Sequence, residues 1–373
     1  MTWMRIRELV RKEFIQLFRD RPNRRILIIA PFVQLLIFGY VVNYDIRYIR
    51  VAICDLSQSR ESRLLAEAFT GNGIFQITNR VSNDRNMEEL LLKGKVDLAI
   101  KISPDMASRI RKGLTAEVQI LADGTMSNMA SIRMSYVMTV LDRYNRQMLQ
   151  DLYPQRMDYG RIDARVRTWY NPNLDSQHFF VPGIVASVVM ILSLLLTSIA
   201  IIKEKESGTM EQIIVTPIRP LELIIGKTIP YIVISIAQMS AITIVAIFWF
   251  NIPLVGNVAY LFIATCLFLL STLGAGLFIS TISKTQQQAM MTAFFIILPF
   301  FLLSGFVFPI DNMPVVVQWL TYANPLRYFL VIIRGIFLKG VGMHVLWPQY
   351  GALAVLGFVL FSGAVGRFHK HLD

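Results

Sequence analysis

The sequence predicts a polytopic α-helical membrane protein that also carries one water-soluble α/β domain, and three observations lead there. Of its 373 residues, 54% are hydrophobic and only 17% are charged, whereas a soluble domain needs about a quarter of its residues charged to keep its surface in water. The charge is also unevenly placed: residues 45–178 hold 19 Lys/Arg and 16 Asp/Glu, while the stretch from Phe179 onward is nearly charge-free outside short clusters. Finally, six apolar runs (26–44, 179–202, 229–250, 258–282, 289–308 and 345–366) reach or approach the length of about 20 residues that a helix needs to cross the hydrocarbon core. The expected fold has six transmembrane helices, both termini cytoplasmic, and the α/β domain outside the membrane between spans one and two.

Residues 1–25 hold eight basic and three acidic side chains just before the first apolar run. Basic charge beside a membrane segment marks a cytoplasmic flank, so the net charge of +12 does not point to a nucleic-acid partner. Trp3, Ile6, Val10, Phe14 and Leu17 recur at helical spacing, with Arg11, Lys12 and Arg19 off that stripe. That is the pattern of an amphipathic helix lying on the membrane, its apolar side toward lipid. The first span, 26–44, contains Pro31, Gln34 and Gly39. A long polar leader and the lack of a small-residue cleavage pattern make it a retained anchor, not a cleaved signal peptide. Cys54 falls in the soluble domain and Cys266 in an apolar span, so no disulfide framework is expected.

Residues 45–178 alternate in character. Segments 48–54, 74–78, 96–102 and 116–121 are short and rich in β-branched residues, and between them 59–69, 84–93 and 104–112 show helical spacing. A longer helix is expected over about 126–152. Strands alternating with helices predict an α/β domain on a small sheet. One span separates this domain from the basic N-terminus, which places it outside, and its own basic residues do not oppose that, because long domains translocate largely regardless of charge.

The five-span part, 179–373, keeps the same polarity. Its cytoplasmic loops hold Lys203, Lys205, Arg219 and Lys227, then Lys284, then Arg367 and Lys370, whereas 251–257 has no charge. Span five is broken at its outer end by Ser304-Gly305-Phe306-Val307-Phe308-Pro309, followed by Asp311-Asn312-Met313-Pro314. Segments 315–320 and 326–338 are apolar but too short to cross, with Arg327 and Arg334 seven apart on one helix face. Residues 309–338 therefore predict short re-entrant helices at the outer surface, because irregular backbone at membrane depth survives only where protein or a wet cavity covers it. Asn324-Pro325 supplies the turn before the second of them.

The six runs contain no Asp, Glu, Lys or Arg. Ion-coupled carriers place ionisable groups inside the membrane, so energy for uphill work is expected from outside the spans. The chain offers no evident nucleotide site of its own. Gly226-Lys227-Thr228 resembles the tail of a phosphate-binding loop, but the position five before Gly226 is Leu221 and no buried strand precedes it. His178, His344, His369 and His371 stand in no ligand-rich context, so neither a metal site nor a catalytic constellation is expected.

The informative cytoplasmic segment is 204–217, from Glu204 through Glu206, Ser207, Gly208, Thr209, Met210, Glu211, Gln212, Ile213 and Ile214 to Thr216 and Pro217. Thr209 and Gln212 have capping-box spacing, and Met210, Ile213 and Ile214 fall on one helix face. A short amphipathic helix follows, whose apolar face either packs on its own bundle or enters a partner's groove. The pattern alone leaves both open.

This segment resembles the signature loop of ABC type-2 (type V) exporter permeases, through Glu204, Glu206, Gly208, Thr209, Met210, Glu211, Ile213, Ile214, Thr216 and Pro217. Trp169-Tyr170-Asn171-Pro172-Asn173-Leu174, Ser304-Gly305 with Pro309, Asn312-Met313-Pro314, Asn324-Pro325-Leu326 and Lys95-Val96-Asp97-Leu98-Ala99-Ile100 are also similar to that family, in order along the chain. The large α/β insertion is similar to its bacterial multidrug-efflux branch. The resemblance implies that 204–217 is a coupling helix docked on a separate nucleotide-binding ATPase subunit, which alone holds ATP and Mg. It implies that 1–25 is an interfacial connecting helix, and that two permease subunits, identical or paralogous, pair in the inner membrane. Substrate would pass between them, Ser304, Gly305, Pro309, Asn312 and Pro314 would gate the exit, and the external domain would meet a periplasmic adaptor protein.

For the translocation path the candidates are Ser187, Met190, Ser193 and Thr197, one stripe of span two, and Met290, Met291, Phe294 and Phe295 on span five. Methionine and phenylalanine make adaptable apolar walls for varied amphiphiles, but small hydroxyl residues also serve ordinary helix packing in membranes. The leading function is export of drug-like or amphipathic molecules. The alternatives are a lipid or glycan exporter and, from another class, a membrane receptor sensing ligand through the external domain.

Overall fold

In a computed structural model of the chain, the described residues are 2–19, 21–41, 48–71, 73–125, 127–152, 170, 175–209 and 220–369. The chain divides into two compact units, Tyr44–Val166 and the remainder, Met1–Asn43 with Arg167–Asp373. The second begins with helices α1, Thr2–Arg19, and α2, Arg21–Val41.

The α/β unit holds strands β1 (Ile49–Asp55), β2 (Phe75–Val81), β3 (Leu98–Ile102) and β4 (Val118–Ala122). Its helices are α3 (Arg60–Thr70), α4 (Asp84–Leu92), α5 (Met106–Arg111) and α6 (Ser127–Leu152). The strands pair in the order β2-β1-β3-β4. β1 is parallel to β2 and β3, each reached through a helical crossover, and β4 is antiparallel to β3. β1 is buried from Val51 to Cys54, as a central strand covered on both faces must be. Ile49, Val51 and Ile53 face one core with Phe69 and Phe75, while Ala52 and Cys54 face another with Met87 and Ala99. α3 starts on a capping box in which Ser59 and Ser62 satisfy each other's backbone amides.

Asp97 pins the start of β3. Its carboxylate accepts from the Arg50 amide at 2.9 Å and the Arg50 guanidinium at 3.0 and 3.1 Å, and pairs with Arg133 of α6 at 3.0 Å. Burial alone would raise this carboxyl, but the Arg50 hydrogen bonds and the Arg133 charge outweigh it and hold it below the usual aspartate range. A depressed folded pKa contributes stability that is present above the ordinary range and lost as pH falls through the folded value. Asp97→Asn should therefore cost about 1–3 kcal/mol at neutral pH, read as faster amide exchange in β1 and β3 of the full-length protein. The gap from wild type should begin to narrow below pH of about 4, the ordinary aspartate range, and close only below the lower folded value; a gap that does not narrow with acid would assign the loss to packing.

The remaining helices are α7 (Ser176–Glu206), α8 (Pro220–Phe250), α9 (Val258–Ile282), α10 (Gln286–Leu302), α11 (Val315–Thr321), α12 (Pro325–Arg334) and α13 (Met343–His369). Four of them, α7, α8, α9 and α13, are long and apolar enough to cross a membrane; the apolar stretches Leu27–Tyr40 and Gln286–Leu302 are shorter. α9 is the central helix, packed on α7 and α13. Glycine makes this approach possible: a Cβ on Gly274 would lie 2.7 Å from the Phe361 nitrogen of α13, and one on Gly276 would lie 2.9 Å from the Leu194 carbonyl of α7. Small residues that let backbones meet are how membrane helices associate. Ser193 adds a hydrogen bond from α7 to Thr272 of α9 at 2.9 Å.

Pro31 shows a local defect repaired from a neighbour. Lacking an N–H, it leaves the Leu27 carbonyl without its helical donor, and the Gln238 side chain of α8 donates to that carbonyl at 2.8 Å. At the far end of α10 the helix stops before Ser304, whose hydroxyl bonds the Phe301 carbonyl and the Phe306 amide. A 3-10 turn at Ile310–Asn312 and the short α11 and α12 follow. Asn324 caps α12 and ties it to α10 by donating to the Phe300 carbonyl at 2.7 Å.

Candidate functional site

A buried cluster of charged side chains lies where α7 ends and α8 begins. α7 runs on past its apolar stretch to Glu206, and α8 starts at Pro220, so charged turns of both helices come to one end of the bundle. Lys227 of α8 is buried there, its ammonium 2.7 Å from Glu13 of α1 and 3.3 Å from Glu204 of α7. Lys12 approaches the same Glu204 oxygen at 3.2 Å from the more exposed side. The side chains of Glu13, Glu204 and Lys227 are 6%, 3% and 3% exposed. Two carboxylates thus meet two ammonium groups, and the Thr209 hydroxyl donates to the second Glu204 oxygen. Such a pair adds little net stability over an apolar substitute, but removing one partner strands a buried charge. The arrangement therefore acts as a rigid clasp among α1, α7 and α8.

Glu206, two residues on, reaches a fourth element. Its carboxylate accepts from the Gln286 amide at 2.9 Å and from the Gln286 side chain, at the first turn of α10. An acidic group at a helix N-terminus satisfies orphaned amides there. Gly208 turns the chain out of α7 with φ +70°, a left-handed conformation that only glycine adopts without strain. The roots of the loop after α7 are thus bonded to α1, α8 and α10. Of the expected coupling helix 204–217, Glu204 and Glu206 belong to the last turn of α7, while Met210, Glu211, Ile213 and Ile214 lie outside the described residues.

Gly226-Lys227-Thr228 lies inside α8, with its amides in a helix instead of a phosphate cradle. A Cβ on Gly226 would lie 2.8 Å from Leu9, so this glycine lets α1 press against α8. Thr228 bonds the Ile224 carbonyl at 2.6 Å, and Lys227 is committed to carboxylates.

The other expected site residues separate into groups. Ser187, Met190, Ser193 and Thr197 are buried within the subunit; Ser187 bonds the Gly183 carbonyl and Thr197 the Ser193 carbonyl of their own helix. Met290, Met291, Phe294 and Phe295 are exposed on α10. Ser304, Gly305, Pro309, Asn312 and Pro314 come together in the break after α10, where Pro309 precedes the 3-10 turn and Pro314 precedes α11. Reasoning from sequence missed Glu13 as a site residue and assigned Lys227 no role. The signal was present for Glu13: it lies on the apolar stripe of α1, seven residues after Ile6 and four before Leu17, where an acid needs a buried partner. Among the described residues no group of three or more His, Cys, Asp or Glu could hold a metal ion.

Residues 26–365 match the family model described as ABC-2 family transporter protein. The chain belongs to this family. Curated relatives agree along nearly the full length of this ABC-2 permease. It is 36% identical to the probable multidrug ABC transporter permease YbhS of Escherichia coli K12 over 348 residues, 91% of this chain and 90% of the relative. It is 30% identical to the probable multidrug ABC transporter permease YbhR of the same organism over 366 residues, 98% of each chain. The inner membrane transport permease YhhJ is 25% identical over 363 residues. Together with its apolar helices, this makes the chain a multi-pass membrane protein.

Proposed function

We propose that this ABC-2 permease is the membrane-spanning subunit of a bacterial exporter driven by a separate ATPase, and that the Glu13–Lys227–Glu204–Lys12 clasp carries the ATPase's movement into the bundle. The observation that carries this is the burial of Lys227 between carboxylates of two other helices, at the roots of the loop that would dock on the partner. A push on that loop reaches α1, α8 and α10 through charged contacts that resist stretching, because opening them strands charge in a low dielectric. ATP and Mg belong to the partner in this reading, since Lys227 and Gly226 are engaged in packing. The clasp end is cytoplasmic, the chain crosses the inner membrane six times, and the α/β unit stands on the outer side, open to an adaptor protein.

The exposed face of α10 is where a second permease copy or paralogue and the substrate would be met. Met290, Met291, Phe294 and Phe295 are 46%, 56%, 59% and 71% exposed, and such side chains accommodate varied apolar shapes. That wall suits drug-like or amphipathic molecules, in keeping with the multidrug names of two relatives. α1, with Trp3 exposed at 76%, would rest on membrane lipid.

The test is co-expression with a candidate nucleotide-binding ATPase subunit. The purified permease alone should hydrolyse no ATP, and the pair should copurify and turn ATP over. Met210→Ala with Glu211→Ala should weaken copurification by about tenfold, the scale of one lost docking contact, while membrane insertion stays normal. Unchanged copurification and drug efflux in that double variant would remove the docking assignment.

A further inference from the structure

Arg334 ends α12 and is the one cation in the described part of the bundle whose surroundings are out of keeping with its charge. Its guanidinium lies 3.7 Å from the centroid of the Phe179 ring of α7. Its Nε and Nη2 are sealed from solvent and make no hydrogen bond. The contrast with its neighbours is direct. Arg327, one heptad earlier on the same face, bonds the Thr321 hydroxyl and lies 4.1 Å over the Tyr322 ring. Lys227, the buried cation of the clasp, has two carboxylates. Among the described residues, Arg334 has an aromatic face and no anionic partner.

The packing around it is close. A Cβ on Gly183 would lie 2.3 Å from the Phe306 ring and 3.4 Å from Arg334 Nη2, so the missing side chain admits both groups onto the α7 backbone. Phe306 is buried there, packed edge-on against Phe180 at 5.9 Å. Phe179 is 42% exposed, so the ring covering the guanidinium is the wall that can swing away. A guanidinium cannot shed its charge and presents a planar fork of N–H donors that matches two oxygens of one anion. An ionisable group kept within a membrane bundle without a partner implies a partner that comes and goes.

We propose that Arg334, with Phe179 and Phe306 as walls, binds the anionic group of an amphiphile, a carboxylate, sulfonate or phosphate, at the end of the bundle opposite the clasp. The inference rests on the exporter reading and adds to it a charge class for the substrate: molecules with an apolar body and one acidic head. The arginine takes the head, and the rings hold the first carbons behind it.

The experiment measures equilibrium binding of dansyl-undecanoic acid and of its methyl ester to the full-length permease in phosphatidylcholine nanodiscs, with protein-free nanodiscs subtracted. No ATPase or nucleotide is present, so a failure of the coupling scheme leaves this result untouched, and the reverse also holds. Wild type should favour the acid over the ester by about tenfold or more, the scale of a charge-assisted hydrogen bond. Arg334→Gln should bind acid and ester alike, Arg334→Lys should keep part of the preference, and Arg327→Gln should keep all of it. Because the charge is unpaired, Arg334→Gln should melt no lower than wild type without ligand. Equal binding of acid and ester by wild type, or an undiminished preference in Arg334→Gln, overturns the site. A large drop in melting temperature for Arg334→Gln does so too, by making the arginine a structural strut.

Discussion

Lys227→Ala should destabilise the permease by about 3–5 kcal/mol, the cost of leaving buried carboxylates without their cation. Glu13 and Glu204 are almost wholly enclosed, and among the described residues Lys12, with its side chain 45% exposed, is ion-paired with Glu204 and not with Glu13. Glu13 would be left facing no positive charge within the clasp. The loss should be reversible by chemistry. In a triple variant, Lys227→Met with Glu13→Gln and Glu204→Gln, every buried charge of the clasp is gone and only the half-exposed Lys12 keeps its own. Replacing a buried ion cluster by well-packed uncharged residues of similar volume is often neutral or stabilising. Thermal melting in detergent would show the single variant far below wild type and the triple close to it. A single variant that melts like wild type would mean that water or ions reach the clasp and that it is not rigid.

The second large effect is expected at Gly274. Gly274→Leu would drive a side chain into the backbone of α13 at Phe361, and backbone cannot rotate away as a side-chain tip can. The cost should be about 3 kcal/mol, the upper part of the overpacking range, with poor yield of folded protein. Gly363 of α13 is the control, because a Cβ there would meet nothing within 4 Å. Gly363→Ala should be neutral or stabilise by up to about 1 kcal/mol, the helix-propensity difference. Equal melting temperatures for Gly274→Leu and wild type would contradict the central place of α9.

Much of this architecture was legible in the residues because local patterns and burial agree. The β-branched segments beginning at Tyr48, Ile74, Val96 and Ala116 fall on the four strands, and each of the six apolar runs overlaps one helix, four of them long and apolar enough to cross a membrane. Helix ends were less legible, for a physical reason. The apolar runs stop at Ile202 and start again at Ile229, where charge begins, yet α7 continues to Glu206 and α8 begins at Pro220. Charge ends an apolar pattern but not a helix when its partners come from elsewhere in the fold. The run 289–308 errs the other way: α10 stops at Leu302 because Ser304 and Gly305 turn the backbone while the residues stay apolar.

The site was half legible for the same reason. Glu204, Glu206, Gly208 and Thr209 stand out as a local motif, but the clasp is made by contacts 214 and 192 residues apart in sequence. No spacing announces those, although an acid on the apolar stripe of α1 hints at them. Ser193 and Thr197 illustrate the opposite limit. A hydroxyl stripe at helical spacing has the same pattern whether it lines a path or packs a helix, and within this subunit Ser193 is bonded to Thr272.

The most direct measurement is the number of substrate molecules moved per ATP hydrolysed by the reconstituted permease–ATPase complex carrying the triple variant Lys227→Met, Glu13→Gln and Glu204→Gln. The buried part of the clasp would then be uncharged and folded, with only the half-exposed Lys12 keeping its charge. A complex that assembles and hydrolyses ATP normally but moves at least about tenfold fewer molecules per ATP, a loss of roughly 1.4 kcal/mol of coupling, is the predicted result. Unchanged transport per ATP would show that the ATPase moves the bundle by another route.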